Sequence, residues 1–273
     1  MLVEAAVCIA VVALTLTFWH PLTVALAMIV LATRQHAQFI LFHDAVHYNV
    51  ARDRRLNDFL TNLVIGVPQL VPVQLYRRLH LAHHARLGTP ADPERLLLYR
   101  RQPWRYRPLG AWPLARQLAG DLFLVNNVRT LVGFGQELRD PKSLLSLPPA
   151  RTWPEFYATV GFYLGALVAW AALDPSSLGR FALIWFVPLL TLTQAIQKVR
   201  SFAEHAAADA PELSYSWRPG LFGRLVLWPY HINYHREHHV HPRVPWYRLP
   251  ATFPDVEQRP GRELPRLLWN GRR

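Results

Sequence analysis

The sequence contains one cysteine, Cys8, and lysine only at Lys142 and Lys198. A single cysteine excludes a disulfide framework within the chain and a zinc site built from cysteine ligands. Arginine therefore carries almost all of the formal net charge of +12. A nucleic-acid-binding protein would place these basic residues on one exposed face with aromatic side chains between them. Here the arginines lie between apolar stretches, so the sequence argues against a nucleic-acid partner.

The sequence also lacks the pair of Glu-x-x-His motifs by which soluble four-helix bundles hold two iron ions.

The sequence has 273 residues, of which 51% are hydrophobic. A chain of this length forms one domain with a sizeable core by default. We therefore predict a single domain over residues 1–273.

Four apolar stretches approach the roughly 20 residues that a membrane-spanning helix needs. They cover residues 2–19, 22–42, 156–173 and 180–199, with turns at 20–21 and 174–177. We predict an all-α membrane protein whose four transmembrane helices form two hairpins, with a helical cap from segments 43–155 and 200–273. Helices buried in a soluble protein are the alternative interpretation of the same stretches.

Three further stretches of the cap are apolar or amphipathic. Residues 60–75 are interrupted by glycine and proline, which indicates a re-entrant or interfacial segment, and residues 100–113 are predicted to form a loop. Residues 118–134 and 221–230 are predicted to lie along the membrane surface.

The distribution of basic residues predicts the orientation in the membrane. Almost all arginine and lysine falls between residues 44 and 155 or after residue 198, and the two short turns with the residues just after them carry only Arg180. Positive residues stay on the cytoplasmic side of a membrane. We therefore expect a multi-pass protein with both termini and the cap in the cytoplasm, in the inner membrane if the source is bacterial.

Eight histidines fall into three short clusters, all in the predicted cap. Residues three or four positions apart share one face of a helix, so each cluster directs its imidazoles to one place. Imidazole is a common ligand of iron, zinc, copper and nickel. The clusters are box 1 (His43 and His47), box 2 (His80, His83 and His84) and box 3 (His235, His238 and His239).

Three boxes on one side of the membrane predict a site for more than one metal, because they offer more nitrogens than one tetrahedral ion uses. Asp44, Glu204 and Glu237 lie in or near the boxes and are candidate acceptors for imidazole N–H groups. A metal transporter or storage protein is a rival hypothesis, but the spans offer few polar residues past Arg34–Gln38. A zinc hydrolase is another, and it needs only three protein ligands.

The order His-Asp-x-x-His, His-x-x-His-His and His-x-x-His-His, between two predicted hairpins, resembles the membrane fatty acid desaturase family. The likeness continues outside the boxes. It includes Arg34–Ala37 before box 1, Gly88–Glu94 after box 2, and Asn233–Tyr234 with His241–Pro250 around box 3. The resemblance spans residues 34–250.

This resemblance implies a di-iron centre that activates O2 and removes hydrogen from an unactivated C–H bond. The eight box histidines would be its ligands. His205, between the fourth predicted span and box 3, fits the place of a ninth ligand. Some members hold a metal-bound water with an asparagine four residues before that histidine, where this chain has Ser201.

Four other histidines are not expected to be ligands. His36 should be a satisfied histidine of the bundle interior, and His20 lies in the external turn. His231 lies four residues before box 3, but Pro229 beside it favours a cap or a turn. His241 follows box 3 directly.

The resemblance implies that the substrate is a lipid or an acyl chain and that the product contains a new carbon–carbon double bond. A hydroxylase or ketolase with the same di-iron site is the alternative. Since no haem-binding or ferredoxin-like segment is present, electrons should come from a separate ferredoxin or cytochrome b5-like protein with its reductase. The basic cytoplasmic face would favour docking of an acidic carrier.

Overall fold

The computed structural model describes residues 1–89, 91–94, 111–139, 143, 146, 153–205 and 213–270. The described residues are mostly helical, with one short pair of parallel strands. The helices and strands are α1 (Leu2–Thr17), α2 (Pro21–Val46), α3 (Arg54–Thr61), α4 (Val73–Arg86), α5 (Ala111–Leu122), α6 (Val125–Arg139), α7 (Pro154–Leu173), α8 (Pro175–Leu190), α9 (Leu192–His205), β1 (Trp217–Arg218), α10 (Leu221–Val226), α11 (His235–Val240), α12 (Leu249–Thr252), β2 (Arg259–Pro260) and α13 (Leu264–Asn270).

Three helical segments among the described residues are long and apolar enough to cross a membrane: α2, α7, and α8 with α9. Helix α1 has only 16 residues. At 1.5 Å per residue it is about 24 Å long, less than the roughly 30 Å of a bilayer's hydrocarbon core. It packs against α2 and α8. The structure therefore supports three spanning helices and does not confirm the first predicted span, residues 2–19.

The second and fourth predicted spans have different limits in the structure. Helix α2 continues to Val46, so box 1 begins inside the helix and not after it. The predicted turn at 174–177 is wrong, because α8 starts at Pro175. The side chain of Asp174 caps α8 by accepting a hydrogen bond from the backbone N–H of Ser177 at 3.0 Å. A break at Thr191 then separates α8 from α9.

Two predictions about the cap also need correction. The single amphipathic stretch 118–134 is two helices, α5 and α6, because Leu124 has a φ of 64° that no α-helix accommodates. The predicted loop 100–113 ends at Ala111, where α5 begins; residues 100–110 lie outside the described residues.

Residues 60–75 form a compact reversal between α3 and α4. Helix α3 leads into one π-helical turn, Asn62–Gly66, and the chain then turns back into α4. The Oδ1 atom of Asn62 accepts a hydrogen bond from the first backbone N–H of α4, that of Val73, at 2.9 Å. Phe42 of α2 and Tyr76 and Leu79 of α4 belong to one buried cluster. The reversal therefore sets box 2 beside box 1.

Candidate metal centre

Box 1 lies at the carboxyl end of α2, with His43 in the last turn and His47 directly after the helix. The last carbonyl groups of a helix have no partner within the helix. Arg77 of α4 supplies one: its Nε and Nη2 atoms donate to the carbonyl oxygens of Val46 and Ala45 at 2.8 and 3.2 Å. Arg77 thereby stabilises the turn that carries His47 and ties it to the helix of box 2.

Box 2 lies on α4 and box 3 on the short helix α11, and in each box two rings meet across one helical turn. The Nε2 atoms of His80 and His84 are 2.8 Å apart. Those of His235 and His239 are 3.1 Å apart. The spacing of four residues therefore brings the imidazoles together as predicted.

Helix α11 has six residues and is held in place by the chain before it. The carbonyl oxygen of Asn233 accepts from the backbone N–H of Trp217, and its side-chain amide donates to the carbonyl of Trp217, both at 2.8 Å. The indole N–H of Trp217 donates to the carbonyl oxygen of Ala203 in α9 at 3.0 Å. These bonds place box 3 against the end of α9, where the Nε2 of His205 lies 2.9 Å from that of His235.

The structure brings all nine predicted histidines together in two adjoining groups. Within the first group, the candidate ligand atoms all lie within 4.8 Å of one another. In the second group, the ligand atoms of His83, His205 and His239 lie within 4.8 Å of one another. The ligand atom of His205 also lies within 4.8 Å of that of His235. The first group is His43, His47, His80, His84 and His238, and the second group is His83, His205, His235 and His239.

Several rings are oriented by an oxygen atom on their outer side. The Nδ1 of His83 lies 3.0 Å from both carboxylate oxygens of Asp92. The Nδ1 of His205 lies 3.3 Å from the carbonyl oxygen of Leu213. Carboxylate and carbonyl oxygens only accept hydrogen bonds, so Nδ1 carries the proton in both rings. The lone pair of Nε2 then faces the interior of the centre.

The segment after box 2 supplies carboxylates that the sequence analysis did not assign. Besides Asp92, Glu94 places a carboxylate oxygen 3.6 Å from the Nδ1 of His80, and both acidic side chains are buried. The sequence signal was present, because Asp92 and Glu94 lie in the segment that resembles the family. Their contact with particular rings depends on how the chain folds back after α4.

The expected role of Asp44 and Glu237 is not what the structure shows. Asp44 accepts a hydrogen bond from the side chain of Asn49 at 2.9 Å. Glu237 accepts from the hydroxyl of Ser216 and pairs with the neighbouring Arg236. Among the described residues, neither carboxylate accepts a hydrogen bond from an imidazole.

The donor set fits a metal. The Nε2 atoms of His43, His47 and His238 are buried and have no hydrogen-bond partner among the residues that the structure describes, whereas buried polar atoms are normally paired. Metal–imidazole bonds of about 2.0–2.1 Å bring neighbouring ligand nitrogens about 3 Å apart, close to the separations seen here. Burial lowers the pKa of His47 to about 3 and holds the pKa values of His238 and His239 well below 6.5. These three imidazoles are therefore neutral, which metal binding requires.

The other four histidines, which were not expected to be ligands, lie outside both groups. His36 is fully buried and its Nε2 contacts a backbone carbonyl at 3.1 Å. His20 is exposed and its Nδ1 caps the start of α2. His231 lies in a 3-10 turn with a φ of 55°, so it does not share a helical face with His235. His241 is exposed.

The apolar helices and the paired histidine groups define a membrane protein with a candidate two-metal centre. The family model described as fatty acid desaturase matches residues 17–269, which include all three boxes and His205. The chain therefore belongs to the fatty acid desaturase family, and it is an oxidoreductase.

Curated relatives are similar over most of the chain. The beta-carotene ketolase of Paracoccus sp. (strain PC1) is 25% identical over 244 residues, covering 85% of this chain and 80% of the relative. The zeaxanthin 4-ketolase of Chlamydomonas reinhardtii is 25% identical over 219 residues, covering 78% and 40%. The dihydrorhizobitoxine desaturase of Bradyrhizobium elkanii is 26% identical over 262 residues, covering 90% and 71%. No solved structure matches the chain.

Proposed function

We propose that the chain uses O2 and two iron ions to oxidise an unactivated C–H bond of an apolar, lipid-like substrate. The observation that carries this proposal is the convergence of nine buried or half-buried histidines into two adjoining groups. Membership of the fatty acid desaturase family supports the same chemistry. The proposed iron ligands are His43, His47, His80, His84 and His238 for one ion, and His83, His205, His235 and His239 for the other.

The residues of the chain have separate tasks in this reaction. Iron, when bound, supplies the capacity to activate O2 and to oxidise carbon. Asp92 fixes the orientation of His83, which keeps its Nε2 atom directed inward, and Glu94 places a carboxylate beside the Nδ1 of His80. Burial of the rings keeps bulk water away from a reactive centre.

Oxygen insertion, as in a ketolase, is the outcome that we propose first. Two of the relatives described above are named as carotenoid ketolases, and one of them is matched over 80% of its length. This order differs from the sequence analysis, which placed desaturation of an acyl chain first. Desaturation is the second candidate, because the desaturase from Bradyrhizobium elkanii covers the largest share of this chain among the three, 90%.

The substrate and the electron donor should approach from different sides. Leu164 and Val168 of α7 are exposed and apolar, as expected of a surface that contacts lipid. A lipid-like substrate would therefore enter from the bilayer.

Arg86 and Arg243, which follow boxes 2 and 3, are exposed beside the centre. They would attract an acidic carrier such as a ferredoxin, or a cytochrome b5-like protein with its reductase, by electrostatic steering.

Product analysis with isotope-labelled O2 tests the proposal. The iron-loaded protein in lipid vesicles would receive a ferredoxin, its reductase and NADPH, with a carotenoid or an acyl lipid as substrate. A labelled oxygen atom in the product supports ketolase or hydroxylase activity. Loss of two hydrogens without the label supports a desaturase. If iron-loaded protein changes neither substrate more than the His83→Ala variant does, the proposed function is wrong.

A further inference from the structure

The two histidine groups are unequal, with five imidazoles in the first and four in the second. A carboxylate lies beside the smaller group. Glu204 is fully buried in the last turn of α9. Its ligand oxygen and the ligand nitrogens of His205 and His235 all lie within 4.8 Å of one another. Among the described residues, the group with fewer imidazoles is thus the one whose candidate ligands include a carboxylate.

Glu204 approaches its histidine from the inner side of the ring. Its Oε2 lies 3.5 Å from the Nε2 of His235, and that same nitrogen lies 2.9 Å from the Nε2 of His205. Asp92 instead faces Nδ1, the outer nitrogen, of its histidine His83. A carboxylate at Nδ1 orients a ring that binds metal through Nε2. A carboxylate at Nε2 stands where the metal ligands themselves converge.

Arg200 supports an ionised Glu204. Its guanidinium pairs with Oε2 across one turn of α9, and both side chains are buried. A buried charge is costly unless it is paired or coordinates a metal. Imidazole with one carboxylate is a ligand set that non-haem iron accepts. The histidine groups by themselves offer only neutral ligands, so Glu204 adds a negative charge beside the metal.

We propose that Glu204 is a direct carboxylate ligand of the iron in the second group, a role that rests on the proposed di-iron function. The second iron would then have five protein ligands, as the first has. This assignment differs from the sequence expectation that Glu204 accepts an imidazole N–H, because the nitrogen that it faces is the inner one.

The variant Glu204→Gln tests the assignment, since glutamine keeps the shape and loses the charge. Glu237→Gln is the matched control: Glu237 is also buried and follows box-3 residue His235 by two positions, but it contacts Ser216 and Arg236. Both variants and the wild type would be purified in detergent and loaded with isotope-enriched iron. Iron content and the Mössbauer spectrum are then measured without turnover.

We expect about two iron ions per chain in the wild type and in Glu237→Gln. In Glu204→Gln we expect the iron content to fall by about half and one of two Mössbauer signals to be lost or shifted. If Glu204→Gln does not fold, Glu204→Asp, which keeps the charge, replaces it in the test. In that variant we expect the Mössbauer signal of the second iron to shift.

Two results would overturn the assignment in distinguishable ways. Full iron content with an unchanged spectrum in Glu204→Gln shows that Glu204 does not bind the iron. If only Glu204→Asp folds, the same result in that variant leads to the same conclusion. The proposed function then stands. A wild type that holds no iron after loading contradicts the proposed function and this assignment together.

Discussion

At the scale of residues, the direction of each imidazole matters as much as its presence. His83 and His205 each have an oxygen acceptor at Nδ1, which leaves Nε2 for a metal. The Nε2 atoms of His43, His47 and His238 are buried and have no hydrogen-bond partner among the described residues, so they too are left for a metal. Each of these five rings is thus oriented by packing or by a partner in the chain.

Removing an imidazole from either group should stop turnover. His238→Ala takes a nitrogen from the first group and His83→Ala takes one from the second. We expect each to lower product formation by more than about 100-fold, beyond the loss typical of an outer partner, while membrane insertion is unchanged. Product analysis measures the activity, and membrane fractionation measures the insertion.

His241→Ala is the control, because that exposed ring stacks on Phe253 at 5.1 Å and lies outside both groups. Survival of activity in His83→Ala or His238→Ala contradicts a shared centre.

Loss of an orienting carboxylate should weaken iron binding without abolishing it. In Asp92→Asn, the amide no longer accepts strongly from the Nδ1 of His83 and the ring is freed to rotate. We expect iron affinity to fall by about 10–100-fold, measured by competition with a chelator. Asp44→Asn is the control, since Asp44 is also buried but pairs with Asn49. Equal losses in the two variants would mean that the effect is general destabilisation.

The residue spacing was enough to predict which histidines come together within a box, but not which carboxylates orient them. A three- or four-residue spacing is a local property of a helix, so boxes 2 and 3 can be predicted from the sequence alone. Asp92 reaches His83 from nine positions away, after the chain has left α4. That contact depends on the backbone path, which no periodic pattern encodes.

At the scale of elements, the reversal between α3 and α4 determines where box 2 lies. A side chain at Gly66 would place its Cβ 2.7 Å from the Oδ1 of Asn62 and 2.9 Å from the carbonyl oxygen of Val71. The first contact would displace the amide that caps α4 through Val73. The second contact is with a backbone atom of Val71, which cannot move away by a side-chain rotation. The turn itself would therefore have to shift.

Gly66→Ala should therefore destabilise the protein by about 1–3 kcal/mol, as overpacking in a buried site does. Thermal unfolding in detergent measures the difference. Gly165→Ala in α7 is the matched control, because a Cβ there meets nothing within 4 Å. That variant should be neutral or slightly more stable, by up to about 1 kcal/mol, because alanine favours a helix over glycine. An unchanged stability in Gly66→Ala would show that the turn adapts at no cost.

Hydropathy predicted the apolar helices well and their ends less well. Helix α7, at Pro154–Leu173, nearly coincides with the predicted 156–173. Helix α8 begins five residues earlier than the predicted start, at 175 against 180, because the cap and proline at 174–175 start a helix as readily as they form a turn. The break at Leu124 was missed because α5 and α6 are both amphipathic, and hydropathy does not register a single residue with positive φ.

At the scale of the whole molecule, the proposed chemistry requires all three boxes on one side of the membrane. The arginine distribution favours the cytoplasm for that side, and it favours the outer side for the turn between α7 and α8. A bilayer would then separate Ser176, in the first turn of α8, from Arg243, just after box 3. This separation is a property that no single helix or residue determines.

Cysteine labelling in intact cells tests this orientation. Cys8 is the only cysteine and is buried, so the wild type serves as an unlabelled background. We expect a membrane-impermeant maleimide to label Ser176→Cys in intact cells, because the position is exposed and the predicted orientation places it outside. Arg243→Cys should react only after the cells are permeabilised. If Arg243→Cys is labelled first, the centre faces outward. A cytoplasmic ferredoxin could not then reach it, and the proposed electron donor would be wrong.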